Sequence, residues 1–149
     1  MTIFSKDFMD IPHGFRPIGE FRTSPFLERV GPFYFRQDER KLVLGLRVGE
    51  AHANARGSAH GGLLMTMADV ALGYQLALAQ DSPLGATTVS MSADFIGGAA
   101  VGEWIESHVE MQHLGSRMAF ANAYLTAGEK RVARVSAAFL RHEKKSASE

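Results

Sequence analysis

Apolar residues recur along this chain with two different periods, and the change of period divides it. Over 60–80, Leu64, Met67, Ala68, Ala71, Leu72 and Leu78, with Gln75 in the same register, fall at three- and four-residue spacing. That spacing predicts one long helix, with Ser58 as its cap and Asp81 and Pro83 as its stop. On either side the period shortens. Phe33, Tyr34 and Phe35 precede the polar run 36–40, after which Leu42, Leu44 and Leu46 alternate with other residues, the pattern of a two-stranded hairpin. Beyond the helix come four strand-like runs, 86–96, 104–114, 117–127 and 131–141, with Gly97-Gly98, Gly115-Ser116 and Gly128-Glu129 as turns between them. The first 30 residues hold Pro12, Pro17 and Pro25 and have little periodicity, so an irregular or short-helical lead-in is expected. Two strands, one long helix and four antiparallel strands give an α+β class, because one helix packed on one curved sheet is the economical arrangement. The expected organisation is a lead-in over 1–30, one domain over 31–142 and a charged tail over 143–149 that frays.

Composition narrows the classes. Hydrophobic residues are 46% and charged residues 21%, a profile that supports a proper core in a chain of 149 residues. Sixteen basic residues balance sixteen acidic ones, so no global field favours nucleic acid or an anionic membrane. With no cysteine there is no disulfide framework, thiolate metal site or cysteine nucleophile. The apolar stretch 61–79 is interrupted by Asp69, Gly73 and Gln75, which makes it a buried core helix rather than a membrane span. Lys6, Asp7 and Asp10 stand where an export signal would need an apolar run, and a cytoplasmic location is expected.

The chemistry concentrates where the loop meets the helix. Gly61 and Gly62 are adjacent at the helix start, and glycine there costs about 1 kcal/mol relative to alanine. Either the helix must pack tightly on the sheet, or another group must approach free N–H donors at the positive end of the helix dipole. A thioester carbonyl, which gains negative charge on attack, would suit such donors. Asp69 sits eight positions after Gly61, where an unpaired carboxylate would be costly; it is either a structural hydrogen-bonding group or a functional one. Eight helical residues rise about 12 Å, so Asp69 cannot reach a carbonyl held at Gly61 of its own chain. Two helices packed antiparallel across a dimer axis would bring each Asp69 to the other chain's Gly61. No G-x-S-x-G elbow, P-loop, dinucleotide fingerprint or H-E-x-x-H pair occurs, and neither a metal nor a cofactor is expected.

The pattern Asn54-x5-His60-Gly61-Gly62-x6-Asp69, with its strand order, resembles the hotdog-fold acyl-CoA thioesterases, in particular the PaaI-like phenylacetyl-CoA thioesterase branch. The resemblance spans roughly residues 30–142. It implies a hotdog fold in which a curved antiparallel sheet of five to six strands wraps one long central helix. It also implies hydrolysis of an aromatic or short- to medium-chain acyl-CoA to free acid and CoA, with CoA as part of the substrate. Carried over, Gly61 would polarise the thioester carbonyl, Asn54 would orient it, and Asp69 from the partner chain would act as base or nucleophile. His60 would steady the carbonyl or the departing thiolate, or else brace the loop. Thr88 would position water, with Thr87 or Ser90 as alternatives if the register slips. Gly62, Leu64, Met67, Ala68, Ser90 and Phe95 would line the substrate pocket, and Arg117, Arg141 and Lys144 would hold the CoA phosphates. The assembly implied is a homodimer with shared sites, or a tetramer. Rival functions on the same fold are a non-catalytic acyl-CoA-binding module and an enoyl-CoA hydratase or dehydratase using His60 with Asp69.

Overall fold

The structure is a computed structural model, and it describes residues 10–80 and 86–142. Lys144, the tail and the expected helix stop at Asp81 and Pro83 lie outside the described residues.

Seven strands form a single antiparallel sheet around one long helix. In chain order these are β1 (Arg16–Pro17), α1 (Pro25–Val30), β2 (Tyr34–Asp38), β3 (Lys41–Arg47), α2 (Gly61–Gln80), β4 (Ala86–Phe95), β5 (Trp104–Leu114), β6 (Met118–Ala127) and β7 (Lys130–Arg141). Strand order across the sheet is β1-β2-β3-β5-β6-β7-β4. The fold is the hotdog arrangement expected, with one strand more than the five to six anticipated. The addition is the two-residue β1, which pairs Arg16 and Pro17 with Phe35 and Tyr34. It escapes a reading based on alternation because two residues carry none.

The inner face of the sheet explains how close the helix can come. Ala119, Ala121 and Ala123 of β6 and Ala133 and Ala137 of β7 are buried towards the core, and Met67, Ala68, Ala71 and Leu72 of α2 pack in the same cluster. Small side chains on both partners let helix and sheet approach closely. By length and composition α2 could cross a membrane, but this face of it is fully buried in the core. Gln75 is buried too. Its Oε1 accepts the Leu42 N–H at 2.8 Å and its Nε2 donates to the Arg40 carbonyl at 2.7 Å, so it fastens the β2–β3 hairpin to the helix.

The lead-in wraps the β1 edge of the sheet. On the outer face Phe15 meets Trp104 edge-on at 5.0 Å, over Gly45. A Cβ at Gly45 would lie 2.2 Å from the Trp104 ring, so only glycine fits beneath it. The chain then passes to the helix side, where the Phe21 ring lies 5.2 Å from Tyr74 and 5.6 Å from Phe35. The opposite edge is different. β4 is ten residues long and pairs only with β7 among the described residues, leaving its other side open and Val89, Phe95 and neighbouring Ile96 exposed.

Candidate active site

The helix start is built by a loop that closes on itself. Asn54 Oδ1 accepts the N–H groups of Arg56 (2.9 Å) and Ser58 (3.2 Å), while the Asn54 N–H donates to the Ser58 carbonyl at 2.7 Å. The oxygen of Asn54 is therefore engaged by the loop, and what it can offer a ligand is its amide N–H2. Ser58 is not the helix cap: its hydroxyl donates to the Ala99 carbonyl at 3.2 Å. The cap is His60, whose Nδ1 accepts the Gly62 N–H at 2.8 Å. A neutral imidazole that accepts at Nδ1 carries its proton on Nε2, which makes exposed His60 a donor there. Gly62 is closely tied to this geometry, since a Cβ would sit 3.0 Å from His60 Nδ1.

Gly61 is left with the open donor. As the first residue of α2 its N–H has no intrahelical acceptor, and no other acceptor reaches it among the described residues. The Phe95 ring from the end of β4 stands beside it, 3.4 Å from where a Cβ would be. Two turns along, Asp69 is half-buried, and the Thr88 hydroxyl donates to its Oδ1 at 2.7 Å. Nothing among the described residues donates to Oδ2.

A β-bulge decides which hydroxyl meets Asp69. Pairing with β7 runs Thr88↔Phe139 and then Ser90↔Ala138, so Val89 is the extra residue. The bulge keeps Thr88 facing the helix and turns Ser90 to the outer face, into a cleft of about 310 Å³ with Phe120 and Asn122. Thr87 is engaged elsewhere, with the His142 ring at 2.8 Å.

Two clefts flank this part of the helix. One, of about 400 Å³, is lined by His60, Gly62, Leu63, Thr66, His52 and Phe26 among others. The second, of about 360 Å³, is lined by Asp69, Thr88, Val70, Tyr74, Phe139 and again Thr66 and Phe26. One chain thus presents the helix start and the carboxylate in separate clefts. Leu64, Met67 and Ala68, expected as pocket residues, line neither. They are at most 4% exposed and face the sheet, on the far side of the helix from Asp69. Arg117 is exposed, and Arg141 donates its guanidinium to the Gly115 carbonyl. Arg141 pairs with Ala86, which puts both arginines at the Asp69 end of β4 and away from the Gly61 end. Phe26, Thr66, His52 and Tyr74 also line these clefts, and no sequence pattern singles them out. Phe26 lies in the aperiodic lead-in, where no spacing marks it. Among the described residues no cluster of three His, Asp or Glu could hold a metal ion.

Residues 56–134 match the family described as the thioesterase superfamily. The candidate esterase PA0474 of Pseudomonas aeruginosa is 50% identical over 132 residues, covering 88% of this chain and 97% of that one. A mutant form of the phenylacetic acid degradation protein PaaI from Thermus thermophilus superposes with a TM-score of 0.71 at 24% identity, over 80% of this chain and all of that one. A hypothetical thioesterase from Streptococcus pneumoniae, solved with coenzyme A, gives 0.68 at 20% identity, over 76% and 91% of the two chains. At those identities the two structures speak for the fold.

Proposed function

Because this chain belongs to the thioesterase superfamily, we propose that it hydrolyses an acyl-CoA thioester at sites that two copies of the chain complete together. The observation that carries this reading is the separation of the two half-sites. The open Gly61 donor and the Asp69 carboxylate lie eight helical residues, about 12 Å, apart, and the cleft that Asp69 lines includes neither Gly61 nor its neighbours His60 and Gly62. A second copy with its helix antiparallel would bring the partner's Asp69 to Gly61, and the reverse. The open β4 edge supports such an assembly, since a long unpaired strand with exposed apolar side chains is a template for pairing with another chain.

In that site the Gly61 N–H polarises the thioester oxygen and stabilises the charge it gains on attack. Thr88 holds Oδ1 of Asp69 in place, which leaves Oδ2 to take a proton from water as water adds to the carbonyl carbon, or to attack that carbon itself. Collapse of the tetrahedral adduct expels the CoA thiolate, which the Nε2 proton of His60 steadies; where Asp69 itself has attacked, water then cleaves the acyl–Asp69 anhydride to free acid and the regenerated carboxylate. Substrates with an aromatic or a short- to medium-chain acyl group suit the aromatic and aliphatic walls of the Asp69 cleft, formed by Phe26, Val70, Tyr74 and Phe139. The role of one structural relative in phenylacetic acid degradation and the coenzyme A bound to another point to the same chemistry.

The test is thiol release from a panel of acyl-CoA esters by the wild-type chain and by Asp69→Asn. Turnover should fall by orders of magnitude in the variant while its assembly state is unchanged. Equal turnover would end the reading, and saturable binding of the esters with no hydrolysis by the wild type would replace it with a non-catalytic acyl-CoA-binding role.

A further inference from the structure

We infer that Phe26, presented by the lead-in helix α1, is a specificity-determining residue whose ring forms the wall that limits the length of the acyl group. The inference rests on the thioester hydrolase reading above.

Phe26 is 58% exposed although it belongs to a segment that is tightly tied down. At the near end the Tyr74 hydroxyl of α2 donates to the Arg22 carbonyl at 3.0 Å. At the far end buried His52 accepts the Gly49 N–H at Nδ1, so its Nε2 proton donates to the carbonyls of Val30 (2.8 Å) and Gly31 (3.1 Å). Between these ties Ser24 caps α1 through the Leu27 N–H, and Leu27 is buried in the core. The position of Phe26 is therefore set by the fold, and the fold leaves its ring facing open space. A large aromatic side chain held rigidly without a partner is what a pocket wall requires.

Its location supplies the second argument. Phe26 and Thr66 are common to the two clefts, the one with His60 and Gly62 and the one with Asp69 and Thr88. Whichever half of a site is considered, the half that holds the carbonyl or the half that brings the carboxylate, a Phe26 ring borders it. An acyl chain lying along either cleft has that ring in its wall. Leu27, Val70 and Phe139 supply further apolar wall in the carboxylate cleft, room that a smaller residue at Phe26 would open to a longer chain.

The experiment measures kcat and KM of the full chain for straight-chain acyl-CoA esters from acetyl to palmitoyl, with phenylacetyl-CoA added, in wild type, Phe26→Ala and Phe26→Trp. Phe26→Ala should move the optimum to longer chains, raising kcat/KM beyond the wild-type optimum by about 10-fold or more, through KM. Phe26→Trp should move it to shorter ones. If both variants scale every substrate by one common factor, or if the change lies in kcat alone, the ring does not select the acyl group. A uniform loss of activity together with an altered assembly mass in Phe26→Ala would likewise overturn the inference, since the ring would then serve subunit contact. A wild-type chain inert on the whole panel would sink the hydrolase reading instead; an active wild type with an unmoved profile in both variants would sink this inference alone.

Discussion

A site shared between chains can be distinguished from a site within one chain by mixing two defects. The first is Gly61→Pro. Gly61 opens α2, its N–H makes no helical hydrogen bond, its φ is not positive, and a Cβ there would stand 3.4 Å from the Phe95 ring, an ordinary contact. Proline is well tolerated at the first helical position, so the helix should persist, while the donor is deleted and the ring Cδ takes the place of its hydrogen, where the thioester oxygen would sit. Loss of one such donor should lower kcat by about 10²–10³, or about 3–4 kcal/mol of transition-state stabilisation. The second defect is Asp69→Asn, which retains an oxygen for the Thr88 hydroxyl but removes the carboxylate. Each variant alone should be close to inactive. Co-expressed with two different affinity tags and purified through both, they yield mixed dimers. In these, one site combines an intact Gly61 with the other chain's intact Asp69, while its twin carries both lesions. One intact site in two predicts about half of wild-type turnover per dimer, measured as thiol release from a good acyl-CoA substrate. A site built within one chain would leave every site of the mixed dimer with a lesion. Mixed dimers as inactive as their parents would refute the shared site.

Three further outcomes follow from particular contacts. Thr88→Val removes the 2.7 Å hydrogen bond to Asp69 and should cut kcat by about 10–100-fold with KM little changed, whereas Thr88→Ser should restore most of it; steady-state kinetics of the two variants checks this. Gln75→Leu removes the hydrogen bonds from Gln75 to the Leu42 N–H and the Arg40 carbonyl, and urea unfolding should show a loss of about 1–3 kcal/mol with turnover per folded molecule unaffected. Glu103 has its carboxyl held below the ordinary range, first by the Ala100 N–H and then by Lys130. A depressed carboxylate contributes stability above its unfolded pKa and loses it as pH falls through the folded value. Glu103→Gln should therefore lower the thermal midpoint at neutral pH, and the gap to wild type should close in acid. A gap that persists at the acid end would assign the effect to packing.

The sequence displayed some of this plainly and concealed the rest for physical reasons. The long helix and the four strands after it carry strong periodicity, and their observed bounds lie within a residue or so of those expected. The side of the helix that faces the sheet was another matter. α2 is apolar nearly all round, so spacing alone could not tell Leu64, Met67 and Ala68, which face the core, from Thr66, Asp69 and Val70, which face the clefts. The choice among Thr87, Thr88 and Ser90 depended on a single extra residue, Val89, and no propensity marks a bulge there. The lead-in was the least legible part. Its order comes from contacts with residues far away in the chain, such as Arg22 with Tyr74 and Val30 with His52, and local pattern does not record these.

The alanines of β6 have a consequence at the scale of the assembly. Ala119, Ala121 and Ala123 fix the height of α2 above the sheet, and with it the height of Gly61 at one end and of Asp69 two turns on. In the proposed twofold pair each helix gives its donor to one site and its carboxylate to the other. Any displacement of the helix therefore enters the same reacting distance twice, once from each subunit. A single methylene added to this row would loosen both sites by the sum of two shifts, which makes the smallest side chains of the sheet the strictest tolerance in the machine.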